Sequence, residues 1–168
     1  MIEDVEALAA AEAAELRLER SPVELAAVVR SAAGLLAPQF EAAGVELKAR
    51  LDERAVVSGD GARLGQVARN LLANALKFTP PGGSVEVSVG VHDGTASLAV
   101  ADTGSGISPD ELPHVFERFW RGRGARETAG SGVGLAVVDE LVRAHGGSVS
   151  AESEPGRGSV FTVELPRG

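Results

Sequence analysis

With 168 residues, 44% of them hydrophobic, the chain is long enough for one domain with a real core and too apolar for a disordered segment. A formal net charge of −8 argues against a general nucleic-acid binder, which would carry a basic footprint, and no apolar run approaches bilayer-spanning length. Cysteine is absent, excluding disulfides and thiolate metal sites and fitting a cytoplasmic setting, and no signal peptide opens the chain.

Ile2 to Leu18 is rich in Ala, Glu and Leu and favours helix, yet it has too few large apolar residues to be a core helix by itself. It reads as the end of something longer. Ser21-Pro22-Val23-Glu24 has the form of a helix start, with Ser21 as N-cap, proline in the first turn and Glu24 completing a capping box. The helix is expected to run on to Ala43, with Pro38 as the place for a bend and Gly44 as its stop. Val45–Leu51 alternates as a half-buried strand, and a short strand is expected near Ala55–Ser58. Asp60 then caps a helix that ends before the Thr79-Pro80-Pro81-Gly82-Gly83 turn.

That helix carries the most informative pattern. Leu64, Val67, Leu71, Ala75 and Phe78 line one face at the helical period, widened by Leu72 and Leu76. Gln66, Asn70, Asn74 and Lys77 form a second stripe, about 90–100° round from the first. Asn70 and Asn74 are the only two asparagines, and Lys77 is one of two lysines beside 14 arginines. Asparagine is a mediocre helix former because its amide competes for backbone groups, so two of them one turn apart call for a reason. One reason is a polar stripe aimed into a cleft, able to hold a hydrated cation and an anion; the other is an ordinary solvated face.

Ser84–Val91 and Thr95–Ala101 alternate as the arms of a hairpin turning at Asp93-Gly94. Asp102-Thr103-Gly104-Ser105-Gly106 follows directly. Glycines there let the backbone approach a flat ligand, and the carboxylate can accept from an exocyclic amine; a tight turn with the aspartate bonding its own backbone is the alternative. From Asp102 to Gly130 the chain is rich in Gly and Arg, and HVFERFWRGRGARETA reads as a lid over phosphates, as a solvated arginine loop or, against the acidic total, as an RG-type nucleic-acid patch. Gly130-Ser131-Gly132-Val133-Gly134 opens a helix expected over Gly132–His145, and a glycine-rich helix start is a natural phosphate seat. Two closing strands, Ser148–Ser153 and Ser159–Leu165, flank the Pro155–Gly158 turn. The spacing fails the dinucleotide fingerprint, and no Gly-Lys dipeptide exists to make a Walker A loop. This order of elements suggests an α+β two-layer sandwich, with helices on one face of a mixed, mainly antiparallel sheet.

DGARLGQVARNLLANALKFTP, ADTGSGIS, HVFERFWR, GSGVGLAVVDELVRAHGGSVS and GRGSVFTVELP, in that order, resemble the ATP-binding catalytic domain of two-component sensor histidine kinases. This is the Bergerat-fold, or GHKL, ATPase superfamily, and the resemblance covers roughly Pro22 to Pro166. It implies ATP and Mg²⁺ as ligands. By the resemblance, Asn74 supplies an oxygen to Mg²⁺, Asn70 stands close to the metal and phosphates, and Lys77 reaches a phosphate. Asp102 would bind the adenine amine, with Gly104 and Gly106 shaping its pocket. Gly130, Ser131, Gly132, Val133, Gly134 and Leu135 would wrap the phosphates, and Arg118 and Arg121 are lid candidates, Arg118 with a catalytic part. Phe78 is either an adenine-edge contact or a core residue. Ser159 stands where the family usually has threonine.

Gyrase-like and MutL-like members carry a glutamate at the place of Asn70, where it activates water; an amide cannot act as a general base. The resemblance therefore implies transfer of the γ-phosphoryl to a histidine, then to a response regulator. His92, His114 and His145 do not match the family's acceptor box, so the acceptor is expected on a dimerisation domain outside this chain. Residues 1–20 resemble the end of that domain's hairpin and its linker, and 21–168 the catalytic domain. The isolated chain is expected to be a monomer, a parent kinase a homodimer, and neither nucleic acid nor membrane a partner of this domain. Two alternatives stand beside this reading: a serine kinase of the anti-sigma-factor type, and a non-catalytic nucleotide-binding module.

Overall fold

In the computed structural model, which describes residues 18–117 and 134–167, Ser21–Glu24 is a strand (β1) and not a helix cap. β1 pairs antiparallel with Val56–Gly59 (β3), Ser21 opposite Gly59 and Glu24 opposite Val56. The capping box is therefore a correction. Glu24 is extended, at φ −80° and ψ 106°, and makes no side-chain cap; the free N–H of Leu25 is met by the Ala55 carbonyl at 2.9 Å. A partner strand satisfies the backbone groups that the capping pattern would have served, and Pro22 is tolerated because β1 lies at an edge.

Leu25–Ala43 (α1) buries Leu25, Ala26, Val29, Ala32, Leu36 and Phe40, passes through Pro38, and ends at Gly44 with a left-handed φ of 71°. Glu46–Leu51 (β2) follows, then β3 and the asparagine helix Gly61–Phe78 (α2). Ser84–His92 (β4) and Thr95–Asp102 (β5) form the expected hairpin. A single 3-10 turn at Leu112–His114 precedes the helix Gly134–Ala144 (α3), and Ser148–Glu154 (β6) and Gly158–Pro166 (β7) close the fold.

The main sheet has the order β2-β4-β5-β7-β6, with β2 parallel to β4 and every other pair antiparallel. Alternation puts one face of it into the core. Val87, Val100, Phe161 and Ala151 form one cross-strand row, and Val89, Leu98, Val163 and Val149 the next. Against these rows pack Leu64, Val67, Leu71, Leu72 and Ala75 of α2 and Val137, Val138, Leu141 and Val142 of α3, all buried. Each fully buried aliphatic side chain here contributes about 1.5–3 kcal/mol of transfer free energy. The result is the anticipated two-layer α/β sandwich with a mixed, mainly antiparallel sheet.

Candidate functional site

α2 starts where the sequence places it. The Asp60 carboxylate accepts from the N–H groups of Ala62 (3.1 Å) and Arg63 (3.3 Å), satisfying two of the helix's free donors. At the other end Thr79 turns its hydroxyl back to the Ala75 carbonyl at 2.7 Å, and Pro80 prevents continuation. Between these stops the apolar stripe is buried, while Gln66, Asn70, Asn74 and Lys77 are all half-buried, at the rim. Asn70 donates its Nδ2 to the Gly134 carbonyl (3.1 Å), so the asparagine stripe faces the first described residue of α3. A carbonyl only accepts, so the amide nitrogen lies toward Gly134 and the Asn70 Oδ1 remains as the group's acceptor. Lys77 Nζ lies 5.8 Å from the centroid of the Phe78 ring; Phe78 is half-buried at the C-terminal end of α2, outside the buried core cluster.

The second half of the site is a polar row at the end of the apolar rows. Asp102 on β5 lies opposite Ser159 on β7, which lies opposite Ser153 on β6, all three continuing the helix-facing side of the sheet. Asp102 is 8% exposed and accepts from the Gly104 N–H at 2.8 Å. Burial pushes its carboxyl above the ordinary aspartate value, opposed by the hydrogen bonds from the backbone N–H groups of Gly104 and Ser159. A carboxylate kept in this setting has acceptor capacity left for a donor-bearing ligand.

The loop after Asp102 is held from four sides. Thr103 donates its N–H to the Ser84 carbonyl (3.1 Å) and accepts from the Ser84 N–H on its hydroxyl (2.9 Å). Ser105 donates to the Phe78 carbonyl at 3.3 Å and accepts from the Gly156 N–H at 2.8 Å. Ile107 donates to the Ser153 hydroxyl at 2.7 Å. The glycines are demanded by these neighbours: a Cβ on Gly104 would run into the Phe78 carbonyl, and one on Gly106 into the Glu154 carbonyl, with Gly106 also at φ +77°. The sequence left this segment as either a close approach for a ligand or a tight turn with the aspartate bonding its own backbone; the Gly104 N–H on the Asp102 carboxylate is that second contact, and the protein's own backbone requires both glycines.

The structure thus brings Asn70 to Gly134 and Asp102 to Gly104 and Ser159. Asn74, Lys77 and Leu135 are half-buried. Arg118, Arg121, Gly130, Ser131, Gly132 and Val133 lie outside the described residues, as does the Ile2–Arg17 part of the expected leading helix. Of the three histidines, His145 has both ring nitrogens engaged, Nδ1 with the Leu141 carbonyl at 2.7 Å and Nε2 with the Asp60 N–H at 3.0 Å. His114 Nδ1 lies 2.5 Å from Glu117. Sequence reasoning passed over Ser153 and Thr103. Ser153 could have been found, because strand alternation places it inward with Val149 and Ala151, where a lone serine needs partners.

A family profile described as histidine kinase-, DNA gyrase B- and HSP90-like ATPase matches residues 59–168. The signal transduction histidine-protein kinase BaeS of Escherichia coli is 38% identical over 168 residues, covering 99% of this chain and 36% of its own length. Histidine protein kinase DivJ of Caulobacter vibrioides is 38% identical, covering 99% of this chain and 28% of its own. Full-length ShkA, solved in complex with AMPPNP, superposes with a TM-score of 0.85 at 34% identity, over 98% of this chain and 35% of that one. The chain accordingly spans about a third of the length of these relatives.

Proposed function

Because the chain belongs to the histidine kinase-, DNA gyrase B- and HSP90-like ATPase family, we propose that it binds Mg-ATP and donates the γ-phosphoryl to a histidine on a separate dimerisation domain. The observation that carries this reading is the pairing of a buried Asp102 carboxylate with an Asn70 amide whose nitrogen is tied to Gly134. Asp102 and Ser159 take the adenine edge, and Phe78 lies at its side. Gly104 and Gly106 fix the wall of that pocket. Asn70, Asn74 and Lys77 face the phosphates, with Gly130 to Leu135 and the lid arginines Arg118 and Arg121 completing their enclosure.

Mg²⁺ suits the donor set. An amide committed through its nitrogen offers only its oxygen, a hard ligand of the kind that cation takes. Among the described residues no group of three or more His, Asp or Glu could hold a metal alone, so Asn70 and Asn74 would share the ion with phosphate and water. When bound, the ion neutralises phosphate charge; the chain's own residues orient the nucleotide and exclude water. Asn70 cannot take a proton from water, so the site favours a protein acceptor over hydrolysis.

In this reading residues 1–20 lead from the dimerisation hairpin and 21–168 form the catalytic domain, monomeric alone and paired in a homodimeric parent that serves a response regulator. The test is calorimetric titration with Mg-ATP, followed by supplying a kinase's histidine-containing hairpin domain with γ-labelled ATP. Saturable binding and acid-labile, base-stable label on the hairpin are expected. Absence of binding overturns the reading. Binding without label reduces it to a nucleotide-binding module.

A further inference from the structure

Ser153 has its whole hydrogen-bonding capacity used, and the direction of each bond can be deduced. Its Oγ receives the Ile107 N–H at 2.7 Å, lies 2.9 Å from the Gly158 carbonyl, and lies 2.9 Å from the Ser159 Oγ. A hydroxyl has one proton and two lone pairs. The Gly158 carbonyl can only accept, so the single Ser153 proton belongs to that contact. Placing it toward Ser159 instead would set two oxygens 2.9 Å apart, Ser153 Oγ and Gly158 O, with no hydrogen between them. The lone pairs then hold Ile107 N–H and the Ser159 hydroxyl proton.

Ser159 is left with lone pairs and no free proton. It lies opposite Asp102, whose carboxylate also only accepts when ionised. Two neighbouring groups thus present acceptors and no donor, which suits a ligand edge bearing an amino group and opposes one bearing a carbonyl. The same Ser153 oxygen anchors the loop of Gly104 and Gly106 through Ile107.

We infer that Ser153 is a positioning and specificity-determining residue. It turns the Ser159 proton away from the ligand and pins the Asp102 loop, so that the site prefers a 6-aminopurine over a 6-oxopurine nucleotide. This rests on the proposed nucleotide site. A buried polar site discriminates strongly because a mismatched ligand leaves its groups unpaired.

The experiment measures calorimetric affinities of the 168-residue chain for Mg-ATP and Mg-ITP, whose bases differ in the 6-substituent, amino against oxo, and in the proton that the oxo form carries on N1. In Ser153→Ala the Ser159 hydroxyl is free to turn and donate, so the ATP-to-ITP preference is expected to fall about five- to tenfold, the weight of one hydrogen bond. Ser153→Thr keeps the hydroxyl and should restore it. Ser159→Ala, which leaves the Ile107 bond in place, should narrow the preference likewise and serves if Ser153→Ala does not fold. A role in folding alone would weaken both nucleotides equally. An unchanged ratio in Ser153→Ala, or in Ser159→Ala where that variant serves, therefore overturns the inference while ATP binding by the unsubstituted chain keeps the site itself. No ATP binding by the unsubstituted chain overturns both.

Discussion

The backbone N–H of Asp60, the residue that caps the asparagine helix, donates to Nε2 of His145, just past the end of α3, at 3.0 Å. Nδ1 of the same ring faces the Leu141 carbonyl at 2.7 Å, so the ring is neutral with its proton on Nδ1. The start of one site helix and the end of the other are thereby joined through a single imidazole. A Cβ on Gly59 would meet this ring at 2.8 Å, so the corner also requires glycine there.

Protonating His145 would put a hydrogen on Nε2, against the Asp60 N–H. Burial, the largest influence, and the Arg20 charge hold its pKa below the ordinary 6.5, opposed by the Leu141 carbonyl and the Asp60 carboxylate. The unfolded chain then binds this proton before the folded one does. The stabilisation is complete above pH 6.5 and is lost as the pH falls through the folded pKa. Urea denaturation between pH 5 and 8 should show stability falling on the acid side, with a shallower fall in His145→Gln. Equal slopes in the two proteins would contradict the assignment.

Arg20 ties the same corner from outside. Its guanidinium donates to the Ser58 carbonyl and to the Ala144 carbonyl, the last residue of α3, each at 3.0 Å, while the Glu19 N–H reaches the Asp60 carboxylate at 3.3 Å. A cation on a helix's terminal carbonyls is favourable, but Arg20 is exposed and water competes. Arg20→Ala should therefore cost only about 0.5–1.5 kcal/mol in urea denaturation. No change at all would mean that the segment preceding β1 does not dock here in solution.

Much of the site was legible because it rests on local periodicity. The asparagine stripe, the Asp60 cap and the Asp93-Gly94 hairpin follow from spacings of two to four residues, which the chain's own backbone geometry enforces. What was not legible depends on distant partners. Ser21–Glu24 reads as a cap until Val56–Gly59 is there to pair with it. The place of His145 comes from a residue 85 positions away, and the need for glycine at 104 and 106 from the carbonyls of Phe78 and Glu154.

Asp102→Asn separates binding from folding. Burial already penalises the charge on this carboxyl, so the neutral amide should leave stability at pH 7 unchanged within about 1 kcal/mol. Nucleotide affinity should fall about tenfold or more, since a charge-assisted acceptor is lost. Undiminished Mg-ATP binding by this variant would remove Asp102 from the site.

Gly106→Ala tests the loop clamp. The left-handed φ of +77° costs a non-glycine residue about 1–2 kcal/mol, and the new Cβ must also displace the Glu154 carbonyl. The Asp102 loop should shift, so nucleotide affinity should fall along with the midpoint of denaturation. Full stability and full affinity together would mean that the approach to Glu154 is not kept in solution.

Asn70→Ala distinguishes the two ends of the nucleotide. The Asn70 amide, midway along α2, donates to the Gly134 carbonyl, whereas the loop after Asp102 meets α2 at its C-terminal end, where Ser105 donates to the Phe78 carbonyl. Removing the amide should leave ADP affinity without metal within about twofold, because the proposed adenine contacts at Asp102 and Ser159 are untouched. Phosphoryl transfer to a supplied hairpin domain should drop about a hundredfold, the scale on which a preorganised group at the transferring phosphate acts. The metal dependence should weaken in step, read as the loss of the Mg²⁺-induced gain in ATP affinity. An equal loss of metal-free ADP binding and of transfer would place Asn70 at the base and not at the phosphates.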